Sequence, residues 1–175
     1  IYNSQGSNYH IRNTTLENND AEIGGAMRNE GSSSCKINKC IFRNNNSTSS
    51  GGAINNSNSD ISIEYSEFTN NNSNSSGGAI YNVVADIEIS HCSFSLNKGS
   101  LGGAINNSNN SFMNIDSTVF QDNISTTSGT FSKPGGGAIY SSTKVSVSNS
   151  SFLNNSANSF GGGMCINGAD AQIKN

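Results

Sequence analysis

Tryptophan is absent from this 175-residue chain, proline occurs once, and charged residues make up only 12% of it. So little proline excludes a collagen-like segment and a proline-rich linker. The 9 Lys and Arg against 12 Asp and Glu give a net charge of −3, so no basic excess is present to bind the phosphates of a nucleic acid. No apolar run approaches the roughly 20 residues of a membrane-spanning helix. We therefore expect neither nucleic-acid binding nor a membrane span in this section.

Apolar residues are scarce because asparagine and serine take their place. The chain holds 31 Asn and 33 Ser, and hydrophobic residues make up 32% of it. So low an apolar share is typical of disordered chains, but disorder also requires a high net charge, which is missing here. Composition alone therefore leaves a disordered chain and an unusual ordered fold both open.

Two short motifs recur at a fixed spacing. Phe-x-x-Asn begins at Phe42, Phe68, Phe94, Phe120 and Phe152, and as a variant at Leu16. Gly-Gly-Ala-Ile or a close variant begins at Gly24, Gly51, Gly77, Gly102, Gly136 and Gly161. Copies of Phe-x-x-Asn lie 26 residues apart, except for a last interval of 32. A period kept over this many units indicates a repeat protein.

Each unit carries short apolar stretches with the spacing of strands. The positions seven and five before the Phe are apolar in every unit, and the position between them is polar. This alternation has the two-residue period of a strand with one buried face. We expect three short strands per unit. A propeller blade needs four strands and about 40 residues, so the shorter period favours a parallel β-helix.

Stacked coils would place like residues on like, about 4.8 Å apart. The sequence then predicts an inward Ile ladder and an inward Phe ladder of Phe42, Phe68, Phe94, Phe120 and Phe152. Three residues past each Phe position stands an asparagine: Asn19, Asn45, Asn71, Asn97, Asn123 and Asn155. Because a buried, unpaired amide would cost about 1–3 kcal/mol, these amides must bond to one another from coil to coil.

The interleaved Gly-Gly-Ala-Ile and Phe-x-x-Asn motifs resemble the repeat of the chlamydial-type polymorphic outer-membrane proteins, also found in adhesin-like surface proteins of other microbes. The resemblance covers nearly the whole chain. It implies an all-β, right-handed parallel β-helix that is secreted, displayed at the cell surface and involved in attachment to host cells. We therefore predict about six 26-residue coils.

The first and last residues read as incomplete repeat units. Residues 1–175 are therefore expected to be one β-helix section of a longer array, with an insertion loop at 124–135 that contains Pro134. Binding would fall to insertions such as this loop.

Candidates for catalysis are few, although parallel β-helices also include polysaccharide lyases and hydrolases. Asp60 and Asp86 should stack one coil apart, either as a surface calcium site or, as we favour, as solvated turn acids. His10 and His91 fall in different columns and form neither a metal site nor a nucleophile–base pair. We expect no enzyme, no cofactor and no metal.

Cysteines and glycosylation sequons give two further expectations. The repeat places Cys40 and Cys92 two coils apart, beyond disulfide reach, so the four cysteines should be free thiols filling the core. Asn55 and Asn106 begin sequons on the Gly-Gly-Ala-Ile strand, where we expect them to be exposed candidate glycosylation sites.

Three functions stay open. The first is a non-enzymatic, extracellular, adhesin-like stalk that binds a host-cell or neighbouring-cell surface, including its glycans. The second is a structural filament of end-to-end β-helices, because both ends of this section would expose unpaired strand edges. The third is a carbohydrate-active enzyme whose site lies outside this section.

Overall fold

The computed structural model describes residues 1–4, 6, 8–31, 34–127, 135–168 and 170–174. Over these residues the backbone winds through six turns, numbered here as coils 1 to 6, and into coil 7. Every strand pairs in parallel with its counterparts in the adjacent coils, and the described residues contain no helix. The predicted all-β parallel β-helix is confirmed.

Sheet A begins directly after each Gly-Gly-Ala and buries the residue that follows. Ile54 is fully buried and pairs with Ile80, its equally buried counterpart in the next coil. The seven strands of sheet A are Tyr2–Asn3, Met27–Glu30, Ile54–Ser57, Ile80–Val83, Ile105–Ser108, Ile139–Ser141 and Met164–Ile166.

Sheet B carries the alternating apolar columns. In the strand Asp60–Glu64, Ile61 and Ile63 are buried, whereas the two terminal acids are exposed. The expected two-residue period is therefore present. The seven strands of sheet B are Tyr9–Arg12, Ser34–Asn38, Asp60–Glu64, Ile87–Ser90, Met113–Asp116, Val145–Ser148 and Ala171–Lys174.

Sheets C and D divide the segment around Phe-x-x-Asn. The strands of sheet C, with the Phe or Leu16 at their centre, are Thr15–Glu17, Ile41–Arg43, Glu67–Thr69, Ser93–Ser95, Val119–Gln121 and Ser151–Leu153. Those of sheet D are Asp20–Ala21, Asn46–Ser47, Asn72–Ser73, Lys98–Gly99, Ile124–Ser125 and Ser156–Ala157. Each of coils 1 to 6 thus has a fourth strand that the sequence does not reveal, because two residues are too few to show a hydrophobic period.

The phenylalanines of successive coils stack face to face along the core. The ring centroids of Phe42 and Phe68 lie 4.7 Å apart, with the ring planes 2° from parallel. Phe120 and Phe152 keep a 4.9 Å spacing although 32 residues separate them in sequence. The longer interval is therefore accommodated without a break in the Phe ladder.

The insertion expected at 124–135 begins later than predicted. Ile124–Ser125 is a regular strand of sheet D, and the backbone N–H of Thr127 still donates to the backbone oxygen of Ser100, at 3.3 Å. The coil continues to Thr127, so the prediction that the loop starts at residue 124 is wrong. The part of the loop that contains Pro134 lies outside the described residues.

Both glycines of Gly-Gly-Ala-Ile are required, for different reasons. Gly51 has a φ of 68°, in the left-handed region that residues with a Cβ avoid. Gly52 has no room for a side chain, because a Cβ there would lie 2.0 Å from the backbone oxygen of Gly78 and 2.6 Å from that of Asn72. The motif therefore marks the corner where the backbones of adjacent coils approach most closely.

Two further corners in each coil also need a positive φ. The residue three before the Phe position and the residue two after it have φ values of 48–58° throughout coils 1 to 6. Asparagine and aspartate tolerate this conformation better than other residues with a Cβ, and they fill seven of these twelve positions. Part of the asparagine excess is therefore a requirement of the backbone.

The close contact at Gly52 predicts a large effect of a single methyl group. Gly52→Ala forces a Cβ against the backbone oxygen of Gly78, and we expect a loss of about 3 kcal/mol in the free energy of unfolding, as for an overpacked core. Gly163→Ala is the matched control, because the nearest atom to its new Cβ is 3.5 Å away. Urea unfolding measures both, and equal midpoints for the two variants would contradict the close-contact explanation.

Candidate functional site

The asparagines of Phe-x-x-Asn form a continuous ladder inside one corner of the coils. In the fully buried Asn71, Oδ1 accepts hydrogen bonds from the backbone N–H and from Nδ2 of Asn45, both at 3.0 Å. Its Nδ2 donates to Oδ1 of Asn97 and to the backbone oxygen of Phe42, also at 3.0 Å. Amide-to-amide bonds of 2.8–3.0 Å join the whole series Asn19, Asn45, Asn71, Asn97, Asn123 and Asn155. The predicted ladder is confirmed.

A second asparagine ladder, not predicted from the sequence, runs along sheet A. Asn56 is fully buried, and its Nδ2 donates to Oδ1 of Asn82 at 2.7 Å and to the backbone oxygen of Ser59 at 2.6 Å. Equivalent bonds of 2.7–2.8 Å join the series Asn3, Asn29, Asn56, Asn82 and Asn107. The signal was present in the sequence, because an asparagine stands two residues after the Ile or Met of the glycine motif in coils 2 to 5.

A third ladder is made of Ser, Thr and Cys side chains, two residues before each Phe. Ser66 Oγ accepts from the backbone N–H of Cys40 at 3.0 Å and donates to the backbone oxygen of Glu64 at 2.8 Å. The backbone N–H of Ser66 in turn donates to Sγ of Cys92, at 3.4 Å. A residue at these positions must therefore be small and must both accept and donate a hydrogen bond, which Ser, Thr and Cys can do.

All four cysteines are free thiols, as expected. Cys35, Cys40 and Cys92 are buried and Cys165 is partly exposed. Burial raises the pKa of Cys35 and of Cys92 to about 11, because the core disfavours a thiolate. Cys40 and Cys92 also belong to the third ladder, so they are hydrogen-bonding rungs as well as core fillers.

Asn55 and Asn106, the two candidate glycosylation sites, are buried. The prediction that they are exposed is therefore wrong. They are only 6% and 2% exposed, on the outer side of sheet A. Nδ2 of Asn55 donates to Oγ of Ser50 at 2.9 Å, so the chain leading to the glycine corner lies over this strand. In the described part of the chain, Oδ1 of Asn106 has no hydrogen-bond partner.

The stacked acids Asp60 and Asp86 act as acceptors for backbone groups of the turn. Oδ1 of Asp60 accepts from the backbone N–H of Asp86 at 3.0 Å, and Oδ1 of Asp86 accepts from that of Phe112 at 2.9 Å. Both residues are exposed. This arrangement gives each of the two carboxylates a structural role in its turn.

The two histidines lie far apart on the surface, as their columns predicted. His10 is exposed beside Arg12, and exposed His91 stacks on Tyr65 with the ring centroids 4.8 Å apart.

Asp116 has a lowered pKa, because Ser148, Asn149 and Ser117 donate hydrogen bonds of 2.7–2.8 Å to its carboxylate. His91 contributes a smaller electrostatic part of that shift.

The described ranges hold no group of three or more His, Cys, Asp or Glu side chains placed to bind a metal ion. They also hold no helix long and apolar enough to cross a membrane. The side chains of the three ladders are committed to holding coils together. Along the side of the rod, contacts with another molecule would therefore be made by the outward-facing side chains.

Parallel coils, an interior of stacked amides and aromatic rings, and a separate outer face define a repetitive β-solenoid. The family model of the Chlamydia polymorphic membrane protein repeat matches residues 39–57, 65–83 and 117–142. Each matched segment contains one Phe-x-x-Asn and the Gly-Gly-Ala-Ile that follows it, so the resemblance seen in the sequence is confirmed. No curated protein and no solved structure matches the chain.

The amide ladder predicts a strong dependence of stability on Asn71. Asn71→Leu removes four inter-coil hydrogen bonds and leaves buried groups of Asn45 and Phe42 unpaired, so we expect a loss of about 3 kcal/mol or more. Asn74→Leu is the control, because Asn74 is exposed and no side-chain hydrogen bond is found for it in the described structure. Thermal unfolding followed by circular dichroism compares them, and similar melting temperatures would rule out the ladder as a main source of stability.

Thiol burial predicts an order of chemical reactivity. At pH 8 we expect iodoacetamide to modify Cys165 first, because Cys35 and Cys92 are buried and keep their protons until the pH nears 11. Mass spectrometry of digested protein measures the rate at each site. Modification of Cys35 or Cys92 as fast as Cys165 in folded protein would contradict the predicted burial.

Proposed function

We propose that this chain is part of an adhesin-like protein of the cell surface, whose coils hold a rigid rod while its outer face mediates attachment to another cell. The observation that carries this proposal is the division between a uniform interior and a varied exterior. Because the two sets of side chains point in opposite directions, the exterior can change without loss of the fold.

Sheet C shows this division most clearly. Its inward column is Leu16 followed by five phenylalanines, four of which are fully buried. The outward column, one residue later, has an acid, a base, two hydroxyls, an amide and an aliphatic side chain, in the order Glu17, Arg43, Thr69, Ser95, Gln121 and Leu153. Such variation suits a surface that is selected for recognition rather than for packing.

The family match supports the location at the cell surface. The repeat that matches three segments of this chain is described as part of a Chlamydia polymorphic membrane protein. A rod of coils about 4.8 Å apart would hold its outer face away from the membrane that displays it.

We propose binding rather than catalysis as the mode of action. The best-placed pair of acids, Asp60 and Asp86, is engaged with backbone N–H groups of the neighbouring coil. Glycosidases instead need two carboxyl groups that face a substrate cleft about 5–9.5 Å apart. We therefore propose that the outer face of the described coils acts by binding another molecule and not by acid–base catalysis.

Attachment is tested with fluorescent beads coated with the chain. We expect them to attach to cultured epithelial cells or to microbial cells several times more often than albumin-coated beads. Soluble chain should compete, because both would occupy the same receptors. Beads coated with Asn71→Leu are the control, since a destabilised fold should lower attachment.

Attachment no greater than that of albumin-coated beads would reject the adhesin. The alternative, an end-to-end filament, predicts that sedimentation coefficients rise with protein concentration as rods join. Discrete rods at every concentration, together with specific attachment, would support the adhesin over the filament.

A further inference from the structure

The turn between sheets A and B changes length at coil 6 and leaves a notch in the outer face. Seven residues (106–112) separate Ile105 from Met113 in coil 5, but only five (140–144) separate their partners Ile139 and Val145 in coil 6. Coil 7 uses six, residues 165–170. The short turn of coil 6 therefore lies between two longer ones.

This notch has a volume of about 730 Å³. It is lined by the short turn Ser142, Thr143 and Lys144 and by residues of the neighbouring coils. Phe112 forms one side and is 41% exposed, in a chain of which aromatic residues make up only 7%. An aromatic ring left open to solvent beside a cavity is a surface for an apolar face of a ligand.

Phe112 occupies a position that is polar in the preceding coils. Backbone pairing and turn hydrogen bonds place Ser34, Asp60, Asp86 and Phe112 in one column, which Lys144 continues in the next coil. The core does not require an aromatic ring here, because the side chain points outward and small polar residues serve in earlier coils. Its exposure is therefore unexplained by folding.

Asp86 is held in a fixed position at the edge of the same notch. Its Oδ1 accepts the backbone N–H of Phe112 at 2.9 Å, which ties the carboxylate to the turn that carries the aromatic ring. Its Oδ2 makes no hydrogen bond within the described structure. Lys144 and Asp170 add a donor and a second acceptor around the cavity.

The lining matches one class of ligand. Two carboxylates against one lysine disfavour an anion, and the hydroxyl and amide groups of Asn110, Ser111, Ser142 and Thr143 disfavour a purely apolar ligand. A neutral sugar offers an apolar face of C–H groups for the aromatic ring and hydroxyls around its rim. Those hydroxyls both donate to carboxylates and accept from lysine.

We propose that the notch binds a neutral oligosaccharide, with one sugar ring stacked on Phe112 and its hydroxyls hydrogen-bonded to Asp86 and Lys144. This inference rests on the proposed function, because it names the ligand class through which the rod attaches to a cell. Asp86 also lines an adjoining depression of about 310 Å³ with Glu88 and Lys36, along the outer face of sheet B. The site is therefore long enough for more than one sugar unit.

The test presents the chain to a printed array of neutral, sialylated and sulfated oligosaccharides. We expect signals on neutral structures, and titration calorimetry then measures the affinity for the strongest of them. Phe112→Ser should weaken that binding at least tenfold because the stacking surface is lost, with an unchanged melting temperature because Ser34 is tolerated in the same column. Tyr65→Ser removes another exposed aromatic ring, outside the notch, and should leave the affinity unchanged.

The outcomes separate this proposal from the adhesin itself. No signal on neutral structures, signals confined to sialylated or sulfated ones, or full affinity in Phe112→Ser would each overturn the notch as the binding site. If coated beads still attach to cells in any of these cases, the adhesin stands without the notch. If neutral oligosaccharides bind in a way that depends on Phe112 but coated beads do not attach to cells, the notch is supported as the binding site and the adhesin is rejected.

Discussion

The side-chain amides of Asn45, Asn71, Asn97 and Asn123 each make four hydrogen bonds to other coils, and the register of the solenoid depends on them. Each of these four amides joins the asparagine before it, the asparagine after it and the backbone oxygen of the preceding Phe or Leu16. A shift of one residue would bury an amide without partners, at a cost of about 1–3 kcal/mol for each group. The ladder therefore fixes the spacing at which all other columns, including the Phe stack, come into contact.

This constraint explains how a chain that is 32% hydrophobic forms an ordered interior. Two asparagine ladders and one ladder of Ser, Thr and Cys fill positions that would be apolar in an ordinary core. In each of them, a buried polar group meets its partner one coil away. Glycines at one corner and residues with positive φ at two others then let the backbone turn tightly enough for those partners to meet.

Much of this architecture could be predicted from the sequence, because the stacked positions repeat every 26 residues. The Phe and Asn columns are recognisable since each repeats a single residue type at a constant phase. The ladder through Asn56 and Asn82 was overlooked because asparagine also fills the left-handed corners and the outer surface, which hides one further column. Burial of Asn55 and Asn106 depends on how the preceding turn lies over sheet A, and periodicity carries no information on that. The notch at coil 6 likewise arises from a difference in turn length between neighbouring coils, whose effect appears only when the coils are stacked.

The direction of the inter-coil hydrogen bonds has a mechanical consequence. The backbone and amide hydrogen bonds between coils run along the rod axis. Tension between the two ends of a rod therefore pulls directly on the hydrogen bonds that join each coil to the next. Because the chain is continuous, a coil at a pulled end can peel away strand by strand while the coils behind it keep all their bonds. Each released coil of 26 residues would add about 90 Å of extended chain, at roughly 3.4 Å per residue. A rod of this kind would lengthen under load coil by coil, so that force is taken up over a long extension before the whole rod unfolds.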